Sequence, residues 1–235
     1  QSRRDQTKSV ILNSMKKFVF FAILAIILLL VPITALHTTP LALVLKTPAT
    51  ITNYIQRVLG LFAFTLMFVQ ILMGAFMDKL EKRLGGWIFK FHLVEGAVIY
   101  TLTFLHPILF MIFNHYIGAG WNPYLVFINV CLLCNKPIDY YYTLGRVSFW
   151  LLTIAVLAAK FRTTNSWFKA NWRKLHVLNY IVFLLVGAHG FFIGTDFKAL
   201  PFYSFAIVAY AIVAGIVIFI ELPRLYKNYI NWIRG

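Results

Sequence analysis

Four histidines stand in two apolar stretches of this chain, at nearly matched spacing. His92 and His106 are 14 residues apart within 91–113, and His176 and His189 are 13 apart within 175–193. A histidine in a membrane span is expensive and needs a partner. Neutral imidazole is also an axial ligand for haem iron. At about 1.5 Å per residue, the two histidines of each stretch lie roughly 20 Å apart along a helix axis. That distance is most of a hydrocarbon thickness of about 30 Å. Two such helices would clamp two haems, one above the other, with one imidazole on each face of each haem. With both axial positions filled, the iron binds no substrate and passes electrons at the haem edge. The bland alternative is a set of hydrogen-bonded structural histidines. It accounts well for one buried histidine and poorly for four paired by depth.

The elements that must position these residues are membrane helices. Of 235 residues, 61% are hydrophobic and 12% charged, against about 25% charged in soluble domains. The net charge of +15 sits in short segments between apolar runs. That is the pattern of topology determinants rather than of a nucleic-acid face. Six spans are expected, at 18–36, 58–77, 91–113, 144–159, 175–193 and 200–222, forming one all-α domain over 18–222. Residues 1–17 and 223–235 are expected as tails. The chain opens at Gln1, which points to a processed or incomplete start. The first apolar run exceeds a signal h-region and lacks an A-x-A cleavage site, so it reads as a retained helix. Residues 125–133 are too short to span and read as an interfacial or re-entrant helix.

Counting Lys and Arg by side gives 17 on one side and 5 on the other. The larger group includes Arg3, Arg4, Lys8, Lys16 and Lys17, the linker 79–90, the linker 160–174, and Arg224, Lys227 and Arg234. The smaller group is Lys46, Arg57, Lys136, Arg146 and Lys198. The positive-inside rule then puts both termini in the cytoplasm. It also pairs His92 with His176 at the inner depth and His106 with His189 at the outer depth, although it was applied without reference to histidine.

The helical phase contains a difficulty. Fourteen residues return to within about 40° of the starting face, whereas thirteen miss by about 140°. The fifth span must be tightly wound, rotated or kinked, and Gly187 and Gly190 beside His189 are the expected place for relief. Pro107, directly after His106, is expected to free a carbonyl near Thr103. Arg57 and Arg146 are odd cations at expected outer helix starts, where the dipole disfavours them. Two readings are open for each: contact with outer-haem propionates or an anionic acceptor, or snorkelling to lipid phosphate. Arg173 and Lys174 have a propionate reading at the inner haem and an equally good positive-inside reading. Glu95, one turn from His92, reads as paired with a cytoplasmic Lys or Arg, or as a proton relay. Phe183 reads as lipid-facing filler or as packing between haems, and His37 and His115 as loop residues. Arg57-Val58 and Gly145-Arg146-Val147 form a faint internal echo, each followed by a basic linker and a histidine helix.

Cys131 and Cys134 are followed by Asn135, so there is no c-type Cys-x-x-Cys-His attachment and no zinc set. They read as two small apolar residues on a short helix, or as a redox-active or bridged pair on the outer side.

Several segments resemble the ferric-reductase-like transmembrane domain family, which includes bacterial predicted ferric reductases and the membrane domain of NADPH oxidases. The resemblance is carried by Arg57-Val58-Leu59-Gly60-Leu61, Gln70-Ile71-Leu72-Met73-Gly74 and Leu80-Glu81-Lys82-Arg83-Leu84-Gly85. It continues through Phe91-His92, Leu105-His106-Pro107, Trp172-Arg173-Lys174-Leu175-His176, Tyr180 and His189, and covers roughly residues 50–222. It implies a six-helix bundle with two stacked b-type haems, ligated by His92 with His176 and by His106 with His189. Electrons would pass from NAD(P)H through FAD to the inner haem, the outer haem and an external acceptor. The acceptor would be a ferric chelate, oxygen, a quinone or a redox protein. Arg57 falls where oxidase members carry an arginine near the oxygen-reducing site. Phe110 stands where they carry a further histidine, so superoxide production does not carry over. No G-x-G-x-x-G loop occurs in the sequence, so FAD and NAD(P)H are expected on a flavoprotein partner chain, or the chain is a cut piece of a longer one. The resemblance points to a bacterial inner membrane. Two other functions stay open: a quinol-oxidising di-haem anchor subunit, and a histidine-based proton or metal transporter. Transport is disfavoured by scarce acids in the spans and by ligands about 20 Å apart.

Overall fold

The computed structural model describes residues 3–234, with side chains described for 11, 13–227 and 230. The side chains of Arg3, Arg4, Lys8 and Arg234, used in the charge count, lie outside the described residues. Every regular element among the described residues is helical. Five helices are long and apolar enough to cross a membrane: Asn13–Thr38, Pro48–Ala75, Trp87–Tyr116, Pro137–Phe161 and Phe202–Lys227. A sixth is added if Ser166–His176 and Leu178–Ile193, joined at a bend of 44°, count as one span. The chain therefore reads as a multi-pass membrane protein. It divides into two compact units, residues 1–117 and 118–235.

The first unit contains α1 (Arg3–Thr38), α2 (Leu41–Val44), α3 (Pro48–Ala75), α4 (Met77–Leu84) and α5 (Trp87–Tyr116). α1 runs unbroken from Arg3 into the first span, so the expected N-terminal tail is helical. Lys16 Nζ donates to the Arg83 carbonyl at 2.8 Å, and Lys17 lies over the Trp87 ring. The first two basic segments thus meet at one end of this unit. α3 begins ten residues before the expected span, for a local reason. Thr47 accepts the Thr50 N–H at 3.1 Å, Thr50 Oγ1 accepts the Thr47 N–H at 3.0 Å, and Pro48 opens the helix. α4 stops at Gly85, whose φ of 96° favours glycine and whose N–H closes onto the Glu81 carbonyl. The turn sends α5 back along α3.

α3 is the core of the unit: every side chain from Ala63 to Val69 is buried. α5 buries one stripe, Ile88, His92, Glu95 and Ile99. Steps of three and four residues keep such positions on one helix face. Leu93, Val94, Val98, Phe104 and Leu105 are exposed on its other faces, which suits a helix solvated by lipid.

The second unit contains a π-helical turn at Tyr124–Ile128, then α6 (Pro137–Phe161), α7 (Ser166–His176), α8 (Leu178–Ile193), α9 (Phe202–Ile216) and α10 (Leu222–Arg234). The expected helix over 125–133 is replaced by that single turn and an irregular segment leading to Pro137. The expected C-terminal tail is likewise helical: a π-helical turn at Val217–Glu221 passes directly into α10. α7 is capped by Asn165, whose side chain accepts the N–H groups of Trp167 and Phe168. α6 and α8 pack together, as α3 and α5 do in the first unit. Buried Glu221 accepts hydrogen bonds from Tyr180 at 3.2 Å and Arg224 at 2.8 Å.

Candidate functional site

In the first unit His92 and His106 of α5 face two glycines of α3. His106 Nδ1 donates to the Gln56 carbonyl at 2.8 Å. A carbonyl only accepts, so Nδ1 carries the proton and Nε2 keeps its lone pair. The Gln56 side-chain amide donates to that Nε2 at 3.1 Å. The ring lies so close to Gly60 that a Cβ there would sit 2.9 Å from Cε1 and 3.0 Å from Nδ1. Nearer the other end of α5, His92 is buried, and its ring faces Gly74, where a Cβ would be 3.8 Å from Cε1. Gln70 Nε2 donates to the His92 carbonyl at 3.1 Å and stands 3.4 Å from its Nε2.

The second unit repeats the arrangement once. His189 Nδ1 donates to the Tyr141 carbonyl at 2.8 Å. A Cβ at Gly145 would sit 2.8 Å from both Cε1 and Nδ1 of that ring. Gln56 precedes Gly60 by four residues, and Tyr141 precedes Gly145 by four. In each unit one helix therefore offers a carbonyl, then a glycine one turn later, and the imidazole rests against both. Tyr141 also stacks on Phe192 at 4.2 Å, which fastens this end of α6 to α8. His176 is held differently. It is the last residue of α7, beside Trp172 at 6.0 Å, with Asn179 Nδ2 at 3.3 Å from Nδ1.

The fifth span bends at an unexpected place. The helix breaks at Val177, directly after His176, and bends by 44° there. Gly187 and Gly190 do other work: a Cβ at the first would collide with the Tyr210 ring, and at the second with the Phe197 ring. α5, by contrast, continues as helix through Pro107.

Arg57 and Arg146 are not at helix starts. Each stands nine residues after its helix-opening proline, Pro48 and Pro137. The dipole acts mainly within the first turn, so the cost argued from it does not apply. Arg57 donates to Thr39 Oγ1 and Thr38 Oγ1, both at 3.0 Å, tying α3 to the end of α1. Arg146 donates to the Asn129 carbonyl at 2.6 Å and lies over the Tyr142 ring. The arginines are offset by 89 residues, while the glycine and carbonyl positions are offset by 85. The histidine settings therefore repeat at an offset of 85 residues, one turn out of register with the arginine echo read from the sequence. Arg173 and Lys174 are exposed on α7. Arg162 and Arg173 flank the Trp172 ring that lies beside His176.

Other expectations are revised. Neither oxygen of buried Glu95 has a hydrogen-bond partner among the described residues, so the expected pairing with a basic side chain is not made. Gln70 Oε1, on the facing stretch of α3, is likewise buried and unpartnered. Phe183 is fully buried with its ring 5.6 Å from Tyr210, rather than facing lipid. His37 and His115 sit in the last turns of α1 and α5, not in loops. Cys131 and Cys134 are joined as a disulfide in an irregular segment, not placed on a helix. Among the described residues no three His, Cys, Asp or Glu side chains gather as ligands for a bare ion.

The residues that sequence reasoning missed are Gln56, Gly60, Gln70 and Gly74 on α3, and Tyr141 and Gly145 on α6. One signal was available. Gly60 and Gly74 are 14 residues apart, as are His92 and His106, which is the register of two antiparallel helices with glycine opposite histidine. Compared with protein-family models, curated proteins and solved structures, the chain matches none.

Proposed function

We propose that this chain is a di-haem b-type cytochrome subunit of the ferric-reductase-like kind. It carries electrons across a bilayer from a donor on the side of the basic segments to an acceptor on the other. His92 with His176 would hold the inner haem, and His106 with His189 the outer one. Arg57 and Arg146 are the candidate cations for the outer propionates, and Arg173 and Lys174 for the inner. When bound, the haems supply a one-electron carrier at each of two depths.

The observation that carries this reading is the repeated imidazole setting. A ligating histidine generally donates its other ring N–H to a carbonyl or carboxylate, which fixes the tautomer and raises ligand basicity. His106 and His189 do so with Nδ1, through Gln56 and Tyr141, which leaves Nε2 unprotonated; at His106 the Gln56 side-chain amide donates to that Nε2 and would have to turn aside for a metal to bind there. Gly60 and Gly145 let each ring lie flush against the neighbouring helix. His92 and His176 are set differently: the Gln70 amide nitrogen stands 3.4 Å from His92 Nε2 and the Asn179 amide nitrogen 3.3 Å from His176 Nδ1, donors facing the ring rather than carbonyls receiving its N–H. The residues fit axial ligation better than a metal-transport site, which would group its ligands in one place.

The donor proposed is a flavoprotein partner that holds FAD and oxidises NAD(P)H. A quinol is the second candidate, for one reason: Glu95 and Gln70 leave buried oxygens unpartnered near His92, and such groups suit quinol hydroxyls. A pyridine haemochrome assay on the purified chain tests the central reading, with two haems per chain expected. A ratio below one overturns it. Rapid haem reduction by a reduced flavoprotein but not by a short-chain quinol selects the first donor, and the reverse selects the second.

A further inference from the structure

The disulfide between Cys131 and Cys134 plays no part in the function proposed above, and several features of its setting set it apart from an ordinary staple. It links residues three apart, so it joins no two helices to each other. It lies between the π-helical turn and α6, outside every candidate span. The two residues inside its ring, Leu132 and Leu133, are 82% and 93% exposed, and both cysteines are partly exposed. The bond therefore lies at the surface of its unit, beneath two exposed side chains.

The segment is also fastened without the bond. The Cys131 N–H donates to Thr143 Oγ1 at 3.2 Å, and the Cys134 N–H donates to Tyr140 Oη at 3.0 Å. Arg146 holds the Asn129 carbonyl, and Trp150 Nε1 donates to the Phe127 carbonyl at 2.8 Å. Four contacts from α6 therefore pin the segment at 127, 129, 131 and 134. Opening the S–S bond removes none of them. The two Cα atoms are 5.5 Å apart, within the range from which a disulfide forms. A reduced pair held by its own backbone amides stays ready to close again.

We propose that Cys131–Cys134 is a thiol–disulfide exchange site whose substrate is a protein dithiol on the same side of the membrane as Pro137 of α6. A thiolate of that dithiol attacks one sulfur of the pair, forming a mixed disulfide and breaking the Cys131–Cys134 bond. The displaced cysteine leaves as a thiolate and takes up a proton. The second thiolate of the dithiol then attacks the mixed disulfide and releases the other cysteine, which is protonated in turn. The partner dithiol is oxidised by two electrons to a disulfide, Cys131 and Cys134 are reduced to thiols, and two protons pass from the partner thiols to these two. The reaction runs equally in reverse. Exposed Leu132 and Leu133, inside the ring that the reacting bond closes, supply the apolar contact through which a protein, unlike a small thiol, docks.

The chain contains two cysteines, so thiol labelling reads this site alone. The purified full-length chain in detergent is treated with reduced thioredoxin as the probe dithiol, or with glutathione at equal thiol concentration. It is then acid-quenched and labelled with a maleimide–polyethylene glycol. Two labels are expected, appearing at least about tenfold faster with thioredoxin than with glutathione. Thioredoxin lacking its resolving cysteine is expected to trap a mixed disulfide with the chain. Leu132→Glu with Leu133→Glu, both at exposed positions, is expected to slow thioredoxin and leave reduction by dithiothreitol unchanged. Labelling that appears only after the chain is unfolded in dodecyl sulfate would show a buried structural bond and overturn the proposal. Equal rates with thioredoxin and glutathione would overturn the protein-dithiol assignment.

Discussion

Replacing Gly145 by alanine is the sharpest probe of the proposed ligation. The added Cβ would stand 2.8 Å from both Cε1 and Nδ1 of His189, while carbon contacts are comfortable at about 3.5–4.0 Å. The ring must therefore retreat by roughly 0.7–1.2 Å. It is not free to do so, because Nδ1 donates to the Tyr141 carbonyl at 2.8 Å. If the ring stays, overpacking costs about 1–3 kcal/mol. If it swings away, a buried hydrogen bond is lost at a similar cost of about 1–3 kcal/mol. Either outcome weakens outer-haem binding by about ten- to hundredfold, since about 1.4 kcal/mol is tenfold. Gly60→Ala should act in the same direction through His106 and slightly less strongly, its contacts being 2.9 and 3.0 Å. Gly74→Ala is the control: its Cβ would be 3.8 Å from His92 Cε1, an ordinary contact. The assay is haem per chain by pyridine haemochrome, with a redox titration of what remains. Gly145→Ala and Gly60→Ala are expected to fall from two haems toward one, and Gly74→Ala to keep two. Two haems with unchanged potentials in both of the first variants would refute the idea that these glycines shape a ligand site.

Three further outcomes are expected. His92→Ala or His176→Ala should lose the inner haem signal, and His106→Ala or His189→Ala the outer; intact signals in any of the four break the pairing. The purified chain by itself should not oxidise NADH, and should do so only after a flavin reductase is added; robust activity without one contradicts the donor assignment. Arg57→Gln should lower the thermal midpoint, because it removes two charged hydrogen bonds to Thr38 and Thr39 worth about 1.5–3 kcal/mol each at most. It should also lower the outer-haem potential, since a nearby cation favours the reduced centre. A lower midpoint with an unchanged potential assigns Arg57 to the α1–α3 joint alone.

Apolar runs were enough to place the spans, because lipid imposes a length and a composition on any crossing helix. They did not place the helix starts. α3 and α6 begin at Pro48 and Pro137, in polar sequence ahead of the apolar run; a proline opens each, and Thr47 caps the first. That shift moved both arginines away from the dipole. The histidine spacing revealed that the fifth span needed relief, but Val177 carries no glycine or proline signal to say where. The glycines that seemed to offer relief are instead small because Tyr210 and Phe197 pack against them. The carbonyl partners of His106 and His189 were invisible for a simpler reason: a main-chain acceptor has no residue type. The bridged reading of Cys131 and Cys134 is the one the structure bears out; the short helix of the other reading does not form, because side chains of α6 hold that backbone in irregular form.

The break after His176 makes the two units mechanically unlike. α5 is a single rod of 30 residues carrying His92 and His106, so a twist or thrust at one end arrives at the other. The second unit carries its histidines on two links, α7 and α8, with a joint of one residue between them. A line of force from the basic end of that span turns through 44° at Val177 before it reaches the Tyr141–His189 clasp. His176 and His189 thus lie on separate helices that meet at an angle, whereas His92 and His106 share one axis.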